Sequence, residues 1–230
     1  MKGWLLAVPN PTGSVVLMHG KDANRLAMMR RAEKFSSLGY SALVFDFQAH
    51  GESEGDRVTL GLLESMDATA AVRFAKTLSP GRPVITLGAS LGGAAFLLAR
   101  PKIESDLLIV ESVYPDIKKA VENRLNALVP YSGFLAPLLT MQLEIRLGKP
   151  AEWFSPVNAA REIQIPTLVL SGDKDTHTTD IDTKRLFEAF GGRKELVFVE
   201  GAGHVDLELY DPTQYWAVVE NFIKRHLKYP

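Results

Sequence analysis

The stretch PVITLGASLGGAAFLLA, residues 83–99, joins two apolar runs through a glycine-rich turn. The first run, Pro83 to Leu87, predicts a buried β-strand, and the small apolar residues from Leu91 to Ala99 predict a helix. The turn between them, Gly88-Ala89-Ser90-Leu91-Gly92, matches the pattern G-x-S-x-G in the strand–turn–helix context that this pattern requires. An ordinary Gly-Ser turn is the alternative, and the flanking strand and helix argue against it.

A serine on such a turn suits nucleophilic chemistry. The sharp bend would hold the Ser90 hydroxyl exposed at the end of the strand, and the flanking glycines leave room where a Cβ would clash. The N-terminus of the following helix adds backbone N–H donors close to developing negative charge. Ser90 is therefore the predicted nucleophile.

Short apolar runs and helical patterns alternate along the chain. Strands are predicted at residues 4–8, 14–18, 42–45, 83–87, 107–110, 167–170 and 196–199, and helices at 23–38, 62–78, 91–99, 181–190 and 212–227. Unbroken apolar strands of this kind are buried on both faces. The sequence thus predicts an α/β fold, with a mostly parallel central sheet and helices on both faces.

The alternation breaks between Ser112 and Ala160, where a proline-bearing helical pattern contains no strand. We interpret residues 112–160 as a small helical cap inserted within a single domain of residues 1–230; one long crossover helix plus loops is the alternative. Four cap side chains are expected to line an apolar substrate pocket over Ser90: Tyr131, Phe134, Leu138 and Met141. Alternatively, they pack the cap onto the sheet.

Composition and charge exclude several classes of protein. The formal net charge is −1, from 26 Lys and Arg against 27 Asp and Glu, so there is no electrostatic footprint for nucleic acid. The absence of cysteine excludes disulfides, thiol nucleophiles and thiolate metal sites. The most apolar stretch, residues 134–147, contains charged residues and is shorter than the roughly 20 residues that a spanning helix needs. We expect a cytoplasmic protein without a transmembrane segment, metal or organic cofactor, and its oligomeric state stays open.

A nucleophilic serine needs a base, and the sequence offers five histidines. His19, His50, His177 and His204 each follow or adjoin a predicted strand end, where functional loops gather in a parallel sheet. Only His204 follows both the serine and a carboxylate in the order Ser, Asp/Glu, His. His226, on the last predicted helix, is expected at the surface.

Several carboxylates could orient that base. Asp173 and Asp175 lie in the loop after the strand at 167–170, and Asp173 is expected to cap the turn there. Glu111, at the end of the preceding strand, is the alternative acid, whereas Asp206 is too close to His204 in sequence to be preferred. The expected oxyanion donors are the backbone N–H groups of Leu91 and Lys21, with the Lys21 side chain facing solvent.

Five motifs in order resemble the α/β-hydrolase superfamily over nearly the whole chain. They are His19-Gly20, the loop Asp46-Phe47-Gln48-Ala49-His50-Gly51-Glu52-Ser53, the turn at residues 88–92, the loop at 172–175 and Gly203-His204. Within the superfamily the chain resembles compact serine hydrolases of the carboxylesterase and acylglycerol-lipase-like type. The superfamily's dehalogenases and epoxide hydrolases differ, because they carry an aspartate where Ser90 stands.

The resemblance implies a role for each matched residue. Ser90 matches the nucleophile, His204 the base, and Asp175 the acid, three positions after Gly172. The 46–53 loop is mainly structural in the family. Two features depart from the family pattern: its opening strand is missing, and residues 176–178, Thr-His-Thr, replace a common apolar residue and proline.

The function implied by this resemblance is hydrolysis of small-molecule carboxylic esters, with short- to medium-chain acyl or aromatic acid groups, through an acyl-enzyme. Two alternatives stay open. The enzyme could cleave a thioester, peptide or carbon–carbon bond, or the fold could serve as a non-catalytic ligand-binding protein.

Overall fold

The computed structural model describes residues 1–227 of the predicted domain, and residues 228–230 lie outside the described part. Seven strands form one sheet: β1 (Lys2–Leu6), β2 (Gly13–Met18), β3 (Tyr40–Asp46), β4 (Val84–Ala89), β5 (Leu107–Glu111), β6 (Thr167–Gly172) and β7 (Lys194–Val199). Their order is β1-β3-β2-β4-β5-β6-β7. Only the pairing of β1 with β3 is antiparallel, and the other five pairings are parallel.

Helices and short 3₁₀ turns connect the strands. The α-helices are α1 (Met29–Ser37), α2 (Glu64–Leu78), α3 (Leu91–Leu98), α4 (Ile117–Leu128), α5 (Ala136–Thr140), α6 (Gln142–Leu147), α7 (Pro156–Ala160), α8 (Asp180–Ala189), α9 (Leu207–Tyr210) and α10 (Pro212–His226). The 3₁₀ turns cover Arg25–Met28, Ser132–Leu135 and Ala151–Trp153.

The central strands β2 to β6 are buried on both faces by these helices. Along β2, Val15 and Leu17 face the core formed with α1 and α10, whereas Val16 and Met18 face the core formed with α2, α3, α7 and α8. This alternation follows from the two-residue period of a strand. It explains why the strand sequences are unbroken apolar runs, and it confirms the predicted α/β class.

Two local differences from the predicted elements have identifiable causes. The helical pattern at 23–38 divides into the 3₁₀ turn and α1, and Asn24 caps the first of these by accepting a hydrogen bond from the Leu26 N–H at 2.9 Å. The short helix α9 was not predicted; Asp206 caps it by accepting from the Leu209 N–H at 3.1 Å. A four-residue helix is too short to show a helical period.

The segment between β5 and β6 contains α4 to α7 and two 3₁₀ turns. Its first helix is capped by Asp116, whose carboxylate accepts from the Lys119 N–H at 2.9 Å. We call residues 112–160 the cap segment. At the other side of the sheet, β1 is the edge strand and runs antiparallel to β3 from Lys2↔Asp46 to Leu6↔Ala42. No helix within residues 1–227 is long and apolar enough to cross a bilayer.

Candidate active site

The turn between β4 and α3 holds Ser90 in a strained backbone conformation. Its φ and ψ are 47° and −106°, a positive φ that side-chain-bearing residues seldom adopt. Two hydrogen bonds fix it there. The Ser90 N–H donates to the Glu111 carbonyl at 2.7 Å, and the Ser90 carbonyl accepts from the Ala94 N–H at 3.0 Å, which begins α3. The serine is thus fixed at the carboxyl edge of the sheet, next to β5.

Glycines flank Ser90 because neighbouring backbone leaves no space for a side chain. A Cβ at Gly88 would lie closer than 3.0 Å to the Gly93 nitrogen, and a Cβ at Gly92 closer than 3.0 Å to the Met18 carbonyl oxygen. Real Cβ atoms essentially never approach other atoms so closely. Packing of α3 against the ends of β2 and β4 therefore requires the pattern G-x-S-x-G.

The loop after β2 lies beside the serine. A Cβ built on Gly20 would stand 3.6 Å from the Ser90 Cβ, so the Gly20–Lys21 backbone borders the space above Ser90. The Lys21 ammonium pairs with Asp22 at 2.5 Å, and both side chains are exposed. The structure places the loop of the expected second oxyanion donor next to Ser90, while Leu91 begins α3 directly after it.

Both ring nitrogens of His19 are hydrogen-bonded to backbone groups, so this histidine holds the loop in place and is not a candidate base. Its Nε2 accepts from the Phe47 N–H at 3.2 Å, so the ring proton is on Nδ1, which donates to the Gly20 carbonyl at 2.7 Å. Burial, together with the nearby His50, lowers the pKa of His19 despite the opposing effects of the Gly20 bond and Asp46. A neutral, fully buried imidazole therefore ties the Gly20 carbonyl to the 46–53 loop.

His204 and Asp175 form the hydrogen-bonded pair that a serine nucleophile requires. His204 Nδ1 donates to Asp175 Oδ2 at 2.8 Å. The other carboxylate oxygen, Oδ1, accepts from the His177 N–H at 2.8 Å and the Thr178 N–H at 2.9 Å. Burial by itself raises the pKa of Asp175. The His204 bond, the His204 charge and the two backbone donors together lower the pKa by more than burial raises it, so the net shift is downward. Asp175 is thus an ionised, oriented acceptor.

The other carboxylates considered have different partners. Glu111 binds the guanidinium of Arg31 at 2.9 Å and the Tyr215 hydroxyl, and Asp206 also binds Arg31. Asp173 accepts from the Gly201 N–H at 2.7 Å, the loop-capping role expected of it. Of the four, Asp175 is the one whose carboxylate meets the His204 ring.

Backbone hydrogen bonds join the loop that contains Asp175 to the loop that contains His204. The Lys174 N–H donates to the Ala202 carbonyl at 2.9 Å, and the Asp173 N–H to the Val199 carbonyl at 3.2 Å. A Cβ on Gly172 would come closer than 3.0 Å to that same Ala202 carbonyl. The glycine of the G-x-x-D motif is therefore required for the close approach of the two loops.

His177 stands where the family commonly has another residue, and it lies beside His204. Its ring centroid is 4.8 Å from that of His204. Burial, followed by the charges of His204 and Arg124, lowers the pKa of His177. Its carbonyl accepts from the Asn123 side-chain amide at 3.1 Å, which joins α4 of the cap segment to the Asp175 loop.

The remaining histidines contribute to packing. His50 is buried, with Nδ1 3.0 Å from the Gln48 carbonyl. His226, expected at the surface, is half-buried instead, because its Nε2 lies 3.2 Å from Glu195 and its ring packs 4.5 Å from that of Phe222.

The cap side chains expected to line an apolar pocket are largely exposed. Their exposed fractions are 91% for Tyr131, 78% for Phe134, 61% for Leu138 and 70% for Met141. These values do not fit an enclosed acyl pocket, and they do not fit packing onto the sheet either.

Sequence reasoning missed a buried cation next to this site. Arg31 lies on α1 one turn before Phe35, on the face that contacts the sheet, and only 1% of it is exposed. It binds both Glu111 and Asp206. The available signal was a charged residue within the apolar stripe of a helix, a position that is charged only when a partner is present.

The fold agrees with comparisons to known proteins. The family model described as serine aminopeptidase, S33, matches residues 9–150. The chain belongs to this family and so to the α/β-hydrolase superfamily. Its relatives include an uncharacterized Bacillus subtilis protein, YqkD, 25% identical over 228 residues, which cover 97% of this chain and 75% of the relative.

Two other similar proteins are named for an activity. A monoacylglycerol lipase of Mycolicibacterium smegmatis is 30% identical over 132 residues, covering 56% of this chain and 47% of the lipase. Among solved structures, the Pyrococcus furiosus esterase Pf2001 superposes with a TM-score of 0.75 at 23% identity, covering 98% of this chain and 86% of the esterase. At that identity the superposition supports the fold alone.

Proposed function

We propose that the protein hydrolyses carboxylic esters through an acyl-enzyme on Ser90. The observation that carries this proposal is the 2.8 Å bond between His204 Nδ1 and the buried Asp175 carboxylate, on the same sheet edge as the strained serine turn. An aspartate in this position fixes the tautomer that leaves Nε2 free to accept a proton.

In the proposed mechanism, Ser90 Oγ attacks the ester carbonyl carbon while His204 Nε2 takes the hydroxyl proton. The tetrahedral oxyanion accepts hydrogen bonds from the N–H groups of Leu91 and Lys21, each worth about 2.7–4 kcal/mol in the transition state. The C–O bond to the leaving group then breaks, and His204 donates its proton to the departing alcohol. Water repeats the sequence on the acyl-enzyme and releases the carboxylic acid.

An ester is favoured as substrate by the name of one relative, the monoacylglycerol lipase. The description of the matched family favours a second candidate, the amide bond of an N-terminal peptide residue. Both reactions use the same serine, base and oxyanion donors, so the leaving group distinguishes them.

The test is turnover of 4-nitrophenyl acetate, butyrate and octanoate alongside leucine 4-nitroanilide. We expect ester turnover that Ser90→Ala lowers by several orders of magnitude without altering the circular dichroism spectrum. Ser37→Ala is the matched control, because Ser37 is exposed on α1 and its hydroxyl donates to the Lys34 carbonyl at 2.7 Å. Anilide turnover without ester turnover would favour the peptidase. Wild-type ester turnover by Ser90→Ala in a clean preparation would refute the mechanism.

A further inference from the structure

Arg124, on helix α4 of the cap segment, is a half-buried cation without an ionic partner. Within residues 1–227 its guanidinium makes no hydrogen bond or ion pair. The nearest carboxylates in sequence are occupied elsewhere: Glu122 pairs with Lys119 at 3.0 Å, and Asp116 pairs with Arg185 at 2.8 Å. The positions three and four residues away along the helix carry apolar side chains, so α4 supplies no partner.

The neighbouring residue fixes α4 over the candidate active site. The Asn123 side-chain amide donates to the His177 carbonyl at 3.1 Å and to the Asp182 carboxylate at 2.6 Å. His177 in turn lies against His204, with ring centroids 4.8 Å apart. Arg124 follows Asn123 directly, so its Cα stands one residue from this anchor.

The Arg124 charge reaches both sides of the space above Ser90. On one side it acts on His177, and on the other on Asp22, the residue after the Gly20–Lys21 loop; it contributes to the lowered pKa of each group. Asp22 does not neutralise it, because the Asp22 carboxylate is exposed and paired with Lys21 at 2.5 Å. The guanidinium therefore lies within electrostatic range of both loops that border the serine.

A half-buried guanidinium without a partner loses part of its hydration and gains nothing in return. Its planar set of N–H donors matches a carboxylate or a phosphate, with which it forms bidentate, charge-assisted bonds. An anionic group brought by the substrate would complete this arrangement.

We propose that Arg124 binds a carboxylate or phosphate group of the substrate, so that the preferred substrates are esters bearing a negative charge away from the scissile bond. This inference rests on the proposed ester hydrolysis and gives it a substrate class. It adds a negative charge to the short- to medium-chain acyl or aromatic acid esters expected from the sequence.

The test compares matched neutral and anionic esters. On the acyl side these are the 4-nitrophenyl esters of pentanoic acid and of glutaric acid, the second of which keeps one free carboxylate. On the alcohol side they are phenyl acetate and 4-acetoxybenzoate. We expect the ratio of kcat/KM, anionic over neutral, to fall about 10–100-fold in Arg124→Met for at least one pair, and less in Arg124→Lys.

Arg146→Met is the matched control, because Arg146 is an exposed arginine of the same cap segment, on α6. An unchanged ratio in Arg124→Met for both pairs overturns the inference while leaving ester hydrolysis intact. If the wild type hydrolyses no ester, the proposed function fails separately. Calorimetric binding of monomethyl glutarate to Ser90→Ala and to Ser90→Ala/Arg124→Met then tests Arg124 without turnover. Equal affinity in the two proteins overturns the inference.

Discussion

The Arg31 guanidinium donates two hydrogen bonds to the Asp206 carboxylate, from Nη2 to Oδ1 at 2.8 Å and from Nη1 to Oδ2 at 3.1 Å. The same guanidinium binds Glu111 at 2.9 Å. Asp206 lies two residues after His204, and the Glu111 carbonyl accepts the Ser90 N–H. One buried cation therefore connects the loop of the proposed base with the strand beside the proposed nucleophile.

Removal of this cation is expected to cost stability. In Arg31→Met the Glu111 carboxylate, 3% exposed, would be left without its counter-charge, and we expect a loss of about 3–5 kcal/mol in the free energy of unfolding. Urea denaturation measures it. Arg31→Met/Glu111→Gln should recover part of the loss, since the stranded charge is gone. A single variant as stable as the wild type would rule out this account of the network.

The lowered pKa of His19 predicts how the free energy of unfolding depends on pH. Its folded-state pKa lies below the ordinary 6.5, so the unfolded chain takes up a proton first as the pH falls. The free energy of unfolding should therefore decrease below about pH 6.5, by at most about 1.4 kcal/mol per pH unit for this one group. Denaturation curves at pH 7.5, 6.5 and 5.5 measure the slope.

His177 contributes to that slope with the same sign, because its pKa is also lowered. The comparison of wild type with His19→Gln isolates the part due to His19. We expect a shallower decrease in the variant. Identical slopes for the two proteins would mean that His19 takes up a proton in the folded state.

Two glycines near His204, the proposed base, provide a matched pair of substitutions. Gly172→Ala places a Cβ closer than 3.0 Å to the Ala202 carbonyl, so it should push the Asp175 and His204 loops apart. Gly203→Ala meets nothing nearer than the Lys174 carbonyl at 3.9 Å. We expect ester turnover to fall at least about 100-fold in Gly172→Ala, as misplacement by about 1 Å can do. A larger loss in Gly203→Ala would contradict the steric argument.

Asp175 and Asp173 provide a second pair. Asp175→Asn can no longer fix the His204 tautomer, and we expect kcat to fall about 10⁴-fold with little change in fold. Asp173→Asn keeps an oxygen for the Gly201 N–H and should retain most of the activity. Steady-state kinetics on a 4-nitrophenyl ester decides between them. If only Asp173→Asn lost activity, the acid would be Asp173, and our assignment to Asp175 would be wrong.

The sheet and the serine turn could be predicted from the sequence because their causes are local. Strands covered on both faces must be apolar throughout, and the turn around Ser90 leaves room for glycine only. The choice among four carboxylates could not be made from residue types alone. It depends on Arg31, 80 residues before Glu111 in the chain, which pairs with two of the competitors.

The cap segment was harder to predict for a different physical reason. An apolar side chain at position 131 or 134 is compatible with a pocket wall, a packed core or an exposed surface. Short helices and turns show too little periodicity to choose a face. Arg124 was missed for a related reason, since the sequence does not reveal which cations lack a partner.

The most direct test of the central claim is labelling with a fluorophosphonate, followed by intact-mass measurement and peptide mapping. If Ser90 is activated by His204, we expect one adduct, on Ser90, formed rapidly in the wild type and at a greatly reduced rate in His204→Ala. Labelling of Ser90 at the same rate in both proteins, or a folded protein that takes up no label, would contradict the account.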